Sequence, residues 1–202
     1  YRAGQANIRR GTEPPKDLPD GVSADASPSR KAKSSGYGSA GKRTKAQAAA
    51  AKASAAQLIE SFDPRSAVAF TDGACKGNPG PAGSGAVLKL PDGTVLERSM
   101  ALGVATNNVG ELSAIGLALD LLDEANWPDD QRTEICTDSK YTYGLLELGW
   151  KAKSNTELVM TLRERLEGRK VRLHWVAGHV GIPENERADE LANEGVQQSM
   201  AL

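Results

Sequence analysis

Asp72, Glu111, Asp138 and Asp189 are the residues of this chain whose surroundings suggest chemistry. Asp72 and Asp138 stand in matching frames, Thr71-Asp72-Gly73 and Thr137-Asp138-Ser139, each directly after a short apolar run that reads as a strand. In open α/β sheets, sites form beyond strand ends where neighbouring strands diverge, so two aspartates at such ends could converge. Glu111 falls on the first turn of the helix that follows, and Asp189 one turn into the last helix. Four carboxylates brought together would repel one another unless cations neutralised them. Oxygen donors alone, with no Cys or His, are the composition of a hard-cation site.

Each carboxylate also has a plainer reading. Asp72 before Gly73 reads as a turn residue, and Asp138 as the N-cap of a helix beginning at Ser139. Asn108 and Glu111 have capping-box spacing. Asp189 lies among Glu184, Glu186 and Glu190, as a solvated acidic helix face would have it.

The elements that would position these groups follow from periodicity and turn chemistry. Residues 67–70 form a strand that stops at Asp72, and residues 77–81 form a turn-rich loop. Residues 85–90 and 94–102 read as strands around the Asp92-Gly93 hairpin signal. Leu112, Ile115, Leu119 and Leu122 then lie at helical spacing, ending near Trp127-Pro128. A buried-type strand at 134–137, a short helix at 141–148 and a helix through Leu158, Leu162 and Leu166 come next. A strand at 171–176 and a loop precede a last helix opened by Pro183, as a first-turn proline would. The order β-β-β-α-β-α-α-β-α predicts an α/β domain with a five-stranded mixed sheet flanked by helices.

At 202 residues the chain is one domain plus some excess. Its 25 basic and 26 acidic residues conceal an asymmetry: residues 1–62 carry eleven basic and five acidic side chains, or +6, which leaves −7 for the rest. About half of that first stretch is Gly, Pro, Ser or Ala, so it buries too little to offset its ordering entropy. We therefore expect a largely disordered basic extension over 1–62, with an Ala-rich, frayed helix at 44–60. The folded domain is expected over 63–197, and a short tail over 198–202. No run approaches the ~20 apolar residues of a membrane span and no secretory leader opens the chain, which reads as soluble, cytoplasmic and monomeric. Tyr1 in place of Met reads as a fragment or a processed chain. Cys75 and Cys136 are too few for a disulfide framework.

Thr71-Asp72-Gly73-Ala74-Cys75-Lys76-Gly77-Asn78-Pro79-Gly80-Pro81, Thr106-Asn107-Asn108-Val109-Gly110-Glu111-Leu112, Thr137-Asp138-Ser139, Val176-Ala177-Gly178-His179 and the run from Pro183 to Ala192 resemble, in order and spacing, the motifs of type 1 ribonuclease H. The resemblance covers residues 66–196 and none of the first 62. It implies the ribonuclease H-like fold and cleavage of the RNA strand of an RNA/DNA hybrid, leaving a 5′-phosphate and a 3′-hydroxyl. It further implies two Mg²⁺ ions, with Mn²⁺ as an alternative. By similarity, Asp72 bridges the ions, Glu111 and Asp138 complete the site near the leaving 3′-oxygen, and Asp189 that of the ion holding the attacking water. The physics agrees, since paired cations about 4 Å apart clamp a scissile phosphate.

The resemblance gives His179, in a loop flanked by Gly178 and Gly181, a part in water activation or product release; imidazole exchanges protons near neutral pH. It places Asn78, Asn107 and Lys140 along the minor groove, and Thr106 at a DNA-strand phosphate. Contacts to 2′-hydroxyls are how a protein tells RNA from DNA. Cys75 lies beside the groove with no assigned chemistry. His174, in a strand, reads as a structural or edge histidine, and Cys136 as a small buried apolar residue.

Many members insert a basic helical protrusion where this chain has a short stretch, 145–157, with only Lys151 and Lys153. Each lost phosphate contact lowers affinity and salt tolerance, so the +6 extension is expected either to contribute grip on nucleic acid or to serve as a solubilising linker. A related exonuclease would carry Glu where Ala74 stands, and an aspartyl phosphatase would need a second Asp at Phe70 or Ala74. The remaining alternatives are a non-catalytic hybrid-binding module, which would have lost a carboxylate, and the nuclease part of a larger reverse-transcription protein.

Overall fold

Parallel and antiparallel pairing meet at one central strand, and that junction organises the molecule. The computed structural model describes residues 44–201. The expected disorder and nucleic-acid contact of residues 1–43 lie outside the described residues. Strands β1 (Ala67–Cys75), β2 (Gly80–Lys89), β3 (Val95–Ala105), β4 (Thr133–Thr137) and β5 (Val171–Trp175) form one sheet in the order β3-β2-β1-β4-β5. The β1-β2-β3 meander is antiparallel; β4 and β5 run parallel to β1. Helices α1 (Lys45–Glu60), α2 (Asn107–Glu124), α3 (Lys140–Leu146), α4 (Thr156–Leu166) and α5 (Pro183–Met200) complete the fold. The expected element order holds, with α1 preceding it.

Alternation along the strands divides the core in two, because successive side chains point to opposite faces. Ala67, Ala69, Ala86 and Leu88 join Leu112, Ile115, Leu119, Leu145 and Leu162 in one apolar cluster. Phe70, Val87 and Cys136 join Ala188 and Leu191 of α5, together with Ala55 of α1, in the other. Burial pushes the Cys136 thiol up to about 12, so it packs as an apolar group. His174, on edge strand β5, is structural as expected: Nε2 lies 2.7 Å from Glu134 Oε2 and the ring 4.8 Å from that of Phe62.

Several boundaries differ from the sequence reading. β1 runs on to Cys75, so Asp72 lies within a strand and not at its end. The extra residues pair with β2 alone: Gly73, Ala74 and Cys75 match Ser84, Gly83 and Ala82, whereas the β1–β4 ladder stops at Thr71 and Thr137. At the other end of the chain, residues assigned to a tail continue α5 to Met200. Ser199 holds them by donating to Ala82 O and accepting from the Leu102 and Gly103 amides. The Ala-rich helix is docked rather than frayed: a capping box joins Thr44 and Gln47, and Ala55 is buried in the second core. A helix marginal alone is stable when tertiary packing supports it. Between α3 and α4, residues 147–155 form no helix, and Trp150 folds back over Gly144. No described helix is long and apolar enough to cross a membrane.

Candidate active site

The parallel register of β1 and β4 builds half of the site. Its last pair is Thr71 with Thr137, and the residue that follows each is an aspartate, Asp72 within β1 and Asp138 just past the end of β4. Adjacent strands lie about 4.8 Å apart, so the two carboxylates become neighbours where the ladder ends. Glu111 arrives from α2, which comes so close to β1 that a Cβ on Gly73 would stand 2.2 Å from the Glu111 amide nitrogen. Only glycine permits that approach, and Ser84 reinforces it by donating to Gly110 O at 2.7 Å. Asp72, Glu111 and Asp138 thereby place one oxygen each within 4.8 Å of the others.

The plainer readings of these carboxylates are excluded by the caps. The N-cap of α2 is Thr106, whose Oγ1 accepts from the Val109 amide, so Asn108 and Glu111 form no capping box. The N-cap of α3 is Ser139, whose Oγ accepts from Thr142, not Asp138. Asp72 is no turn residue, since it lies in β1 and takes the Gly73 amide on Oδ1 at 2.8 Å. The acids around Asp189 belong to the surface: Glu184 pairs with Lys89, and Glu190 with Arg187. Asp189 pairs with no cation among the described residues; Asn193 donates to its Oδ1 at 3.2 Å.

Like-charge repulsion couples Asp72 to the other carboxylates. Burial, then the charges of Asp138 and Asp189, push the Asp72 carboxyl up to about 8, and Asp189 also shares a hydrogen bond with it. Burial, then Asp72 and Asp138, hold Glu111 well above the usual carboxylate range. Asp72 and Glu111 are each only 6% exposed, and Glu111 Oε2 is buried with no hydrogen-bond partner. An orphaned carboxylate oxygen beside two further carboxylates fits a hard divalent cation, which takes oxygen ligands and cancels the repulsion. Asp189 stands against Asp72 from α5, outside the compact group of three.

The remaining expected residues frame this cluster. His179 is exposed in the loop between β5 and α5, with a left-handed φ of 53°. It is outside the cluster, but its neighbour Gly178 is against it: a Cβ there would be 1.8 Å from Asp138 Oδ2. Asn78, Thr106 and Asn107 lie together on the α2 side, with the Asn107 amide donating to Asn78 Oδ1 at 3.1 Å. Asn107 Nδ2 also reaches Glu111 Oε1, at 3.4 Å. Lys140 is exposed on the β4 side, its Nζ 4.6 Å from the ring centroid of Trp175.

Two residues escaped the sequence reading. Trp175 donates from Nε1 to the Asp138 carbonyl at 2.9 Å while stacking under Lys140, so it touches both. Only its place at the end of β5 could have hinted at this. Asn185 is buried, one helical turn before Asp189, with Oδ1 lacking a partner. A polar residue on the inner face of a helix was the available signal.

The sequence model of the RNase H family matches residues 64–197. The Rhizobium etli ribonuclease H is 44% identical over 138 residues, which are 63% of this chain and 89% of that protein. The Agrobacterium fabrum ribonuclease H is 43% identical over 141 residues, 63% of this chain and 92% of that protein. Among solved structures, the N-terminal RNase H domain of a Mycobacterium tuberculosis protein superposes with a TM-score of 0.59 at 30% identity, covering 67% of this chain and 96% of that one. LC11-RNase H1 in complex with an RNA/DNA hybrid superposes with a TM-score of 0.57 at 31% identity, covering 66% and 99%.

Proposed function

Because the chain belongs to the RNase H family, we propose that it is an endonuclease that hydrolyses the RNA strand of RNA/DNA hybrids with divalent cations, leaving 5′-phosphate and 3′-hydroxyl ends. The observation that carries this reading is the convergence of Asp72, Glu111 and Asp138 with an unpartnered, buried Glu111 Oε2. Asp72, Glu111 and Asp138 would hold one Mg²⁺, and Asp72 with Asp189 a second, with Mn²⁺ as the alternative. Bound there, the cations would neutralise charge at the scissile phosphate and activate water.

The protein's own part is orientation. The Gly73 amide fixes Asp72, Asn193 steadies Asp189, and Trp175 anchors the Asp138 backbone. Asn107 reaches Glu111 with the same side chain that lies along the substrate groove, which links 2′-hydroxyl recognition to the cation site. Asn78 supports it, and Lys140 meets the RNA strand from the opposite side. Thr106 grips a DNA phosphate at the N-terminus of α2, where the helix dipole favours an anion. His179, beyond Gly178, takes part in water activation or product release. The protein works as a monomer, and the basic extension adds phosphate contacts that the acidic domain lacks; deleting residues 1–43 should raise KM and flatten its salt dependence.

The decisive assay uses end-labelled RNA paired with DNA, paired with RNA, and single-stranded, each with Mg²⁺ and with EDTA, beside Asp138→Asn. Cleavage confined to the hybrid and abolished by EDTA and by the substitution is expected. Intact hybrid in Mg²⁺ and Mn²⁺ with binding retained would replace this reading by that of a binding module.

A further inference from the structure

Helix α1 precedes the residues matched by the family model, yet it is packed onto the part of the domain that carries His179. Ala51, Ala55, Leu58 and Ile59 fall at i, i+4, i+7 and i+8, the spacing of one helix face. That face joins Val176, Val180 and Ile182 in the second core. Val176 ends the approach to the loop; Val180 and Ile182 lie within it, on either side of Gly181. Both are under a tenth exposed, although His179 between Gly178 and Val180 is open to solvent.

The loop is therefore held by its alternation: Val180 and Ile182 point into the core, and His179 is turned outward. Two of its residues sit in left-handed backbone, His179 at φ 53° and Gly181 at φ 80°. Such a conformation is costly for a non-glycine residue and persists only where the surroundings impose it. α1 supplies part of those surroundings. Besides the apolar face, its Lys52 lies across the loop backbone: a Cβ on Gly181 would meet the ammonium at 3.0 Å. Small residues at 51 and 55 let the helix come close, and Ala55 is buried at 4% exposure.

From this packing we infer that α1 is a positioning element for the reaction: Ala55 and Lys52 hold the 177–182 loop and so fix where His179 stands, next to Gly178, which lies against Asp138. The inference rests on the hybrid-hydrolysis reading and on the role given there to His179. The residues of α1 touch no reacting group; they act through the loop.

The test is a double-mutant cycle in the full chain. Ala55→Glu places a charge in the apolar contact, and Lys52→Ala removes the exposed cation without disturbing the core. Each is made alone and with His179→Ala, and kcat and KM are measured on an RNA/DNA hybrid. Ala55→Glu should lower kcat about 10-fold and Lys52→Ala about 3-fold, with KM within 2-fold, and neither should lower kcat further once His179 is absent. Amide hydrogen exchange of the metal-free proteins supplies a readout that needs no activity: Ala55→Glu should speed exchange across 177–182 and leave β1 and β4 protected. Equal losses in both backgrounds, or unchanged exchange in the loop, overturn the inference and leave the hydrolytic reading intact. A His179→Ala protein with unaltered kcat overturns the role of His179 and this inference with it. If Ala55→Glu loses its fold, Lys52→Ala in both backgrounds decides.

Discussion

Replacing Asp72 by Asn should make the metal-free protein more stable while abolishing its chemistry. Asp72 is pushed up to about 8 by burial and by the charges of Asp138 and Asp189, against ~3.9 for an aspartate in an unfolded chain. Between those values the folded protein holds a proton that the unfolded chain has released. Stability therefore falls as pH rises from ~4 to about 8, and the penalty disappears below ~4, where both states are protonated. At ~1.4 kcal/mol per decade, the roughly four decades set a ceiling of about 5 to 6 kcal/mol at pH 8. Water entry and local relaxation reduce this, so about 2 to 3 kcal/mol is expected. The amide of Asp72→Asn cannot ionise, and its Oδ1 still accepts the Gly73 N–H. Urea unfolding in EDTA at pH 5 and pH 8 measures the difference. The variant should gain about 2 to 3 kcal/mol at pH 8 and about a third of that at pH 5. In divalent cation its hydrolysis should fall by more than the ~10–100-fold that loss of an outer-shell partner costs. A gain independent of pH, or a loss of stability at pH 8, would refute the electrostatic account.

Three further outcomes follow from the same geometry. Asp72, pushed up to about 8, holds its proton near neutral pH in the metal-free state, so cation binding must release it; apparent affinity should rise from pH 6 to pH 8 by up to ~10-fold per pH unit. Titration calorimetry in two buffers of different ionisation heat would show it, and identical heats would contradict it. Gly178→Ala would set a methyl 1.8 Å from Asp138 Oδ2, so kcat should drop ~10-fold or more while the melting temperature moves little, by kinetics and calorimetry on one preparation. Gly73→Ala would drive a Cβ to 2.2 Å from the Glu111 amide, forcing β1 and α2 apart at a cost of ~3 kcal/mol in chemical denaturation.

Short-range signals were sufficient for the element order, the mixed sheet and the four carboxylates. Periodicity, the Asp92-Gly93 turn and Pro183 at the start of α5 are written within a few residues of where they act. The Thr-Asp frames at Asp72 and Asp138 likewise announce themselves, and a family's motif spacing survives in the linear chain. What those frames cannot express is that their strands are neighbours. The pairing of Thr71 with Thr137 joins residues distant in sequence, and it alone makes Asp72 and Asp138 a single anionic centre.

Burial is non-local for the same reason. Asn108 and Glu111 have the spacing of a capping box, but the close approach of Gly73 to α2 puts Glu111 in the interior and leaves the cap to Thr106. The Ala-rich run is marginal as an isolated helix, and becomes part of the domain because Val180 and Ile182 meet its small-residue face. Trp175 lies at the end of its strand with no local mark of function until β5 packs beside β4 and its indole reaches the Asp138 carbonyl. Residue types set which chemistry is available; only the contacts between distant segments decide which of those residues share a site, because side-chain charge and burial depend on neighbours in space.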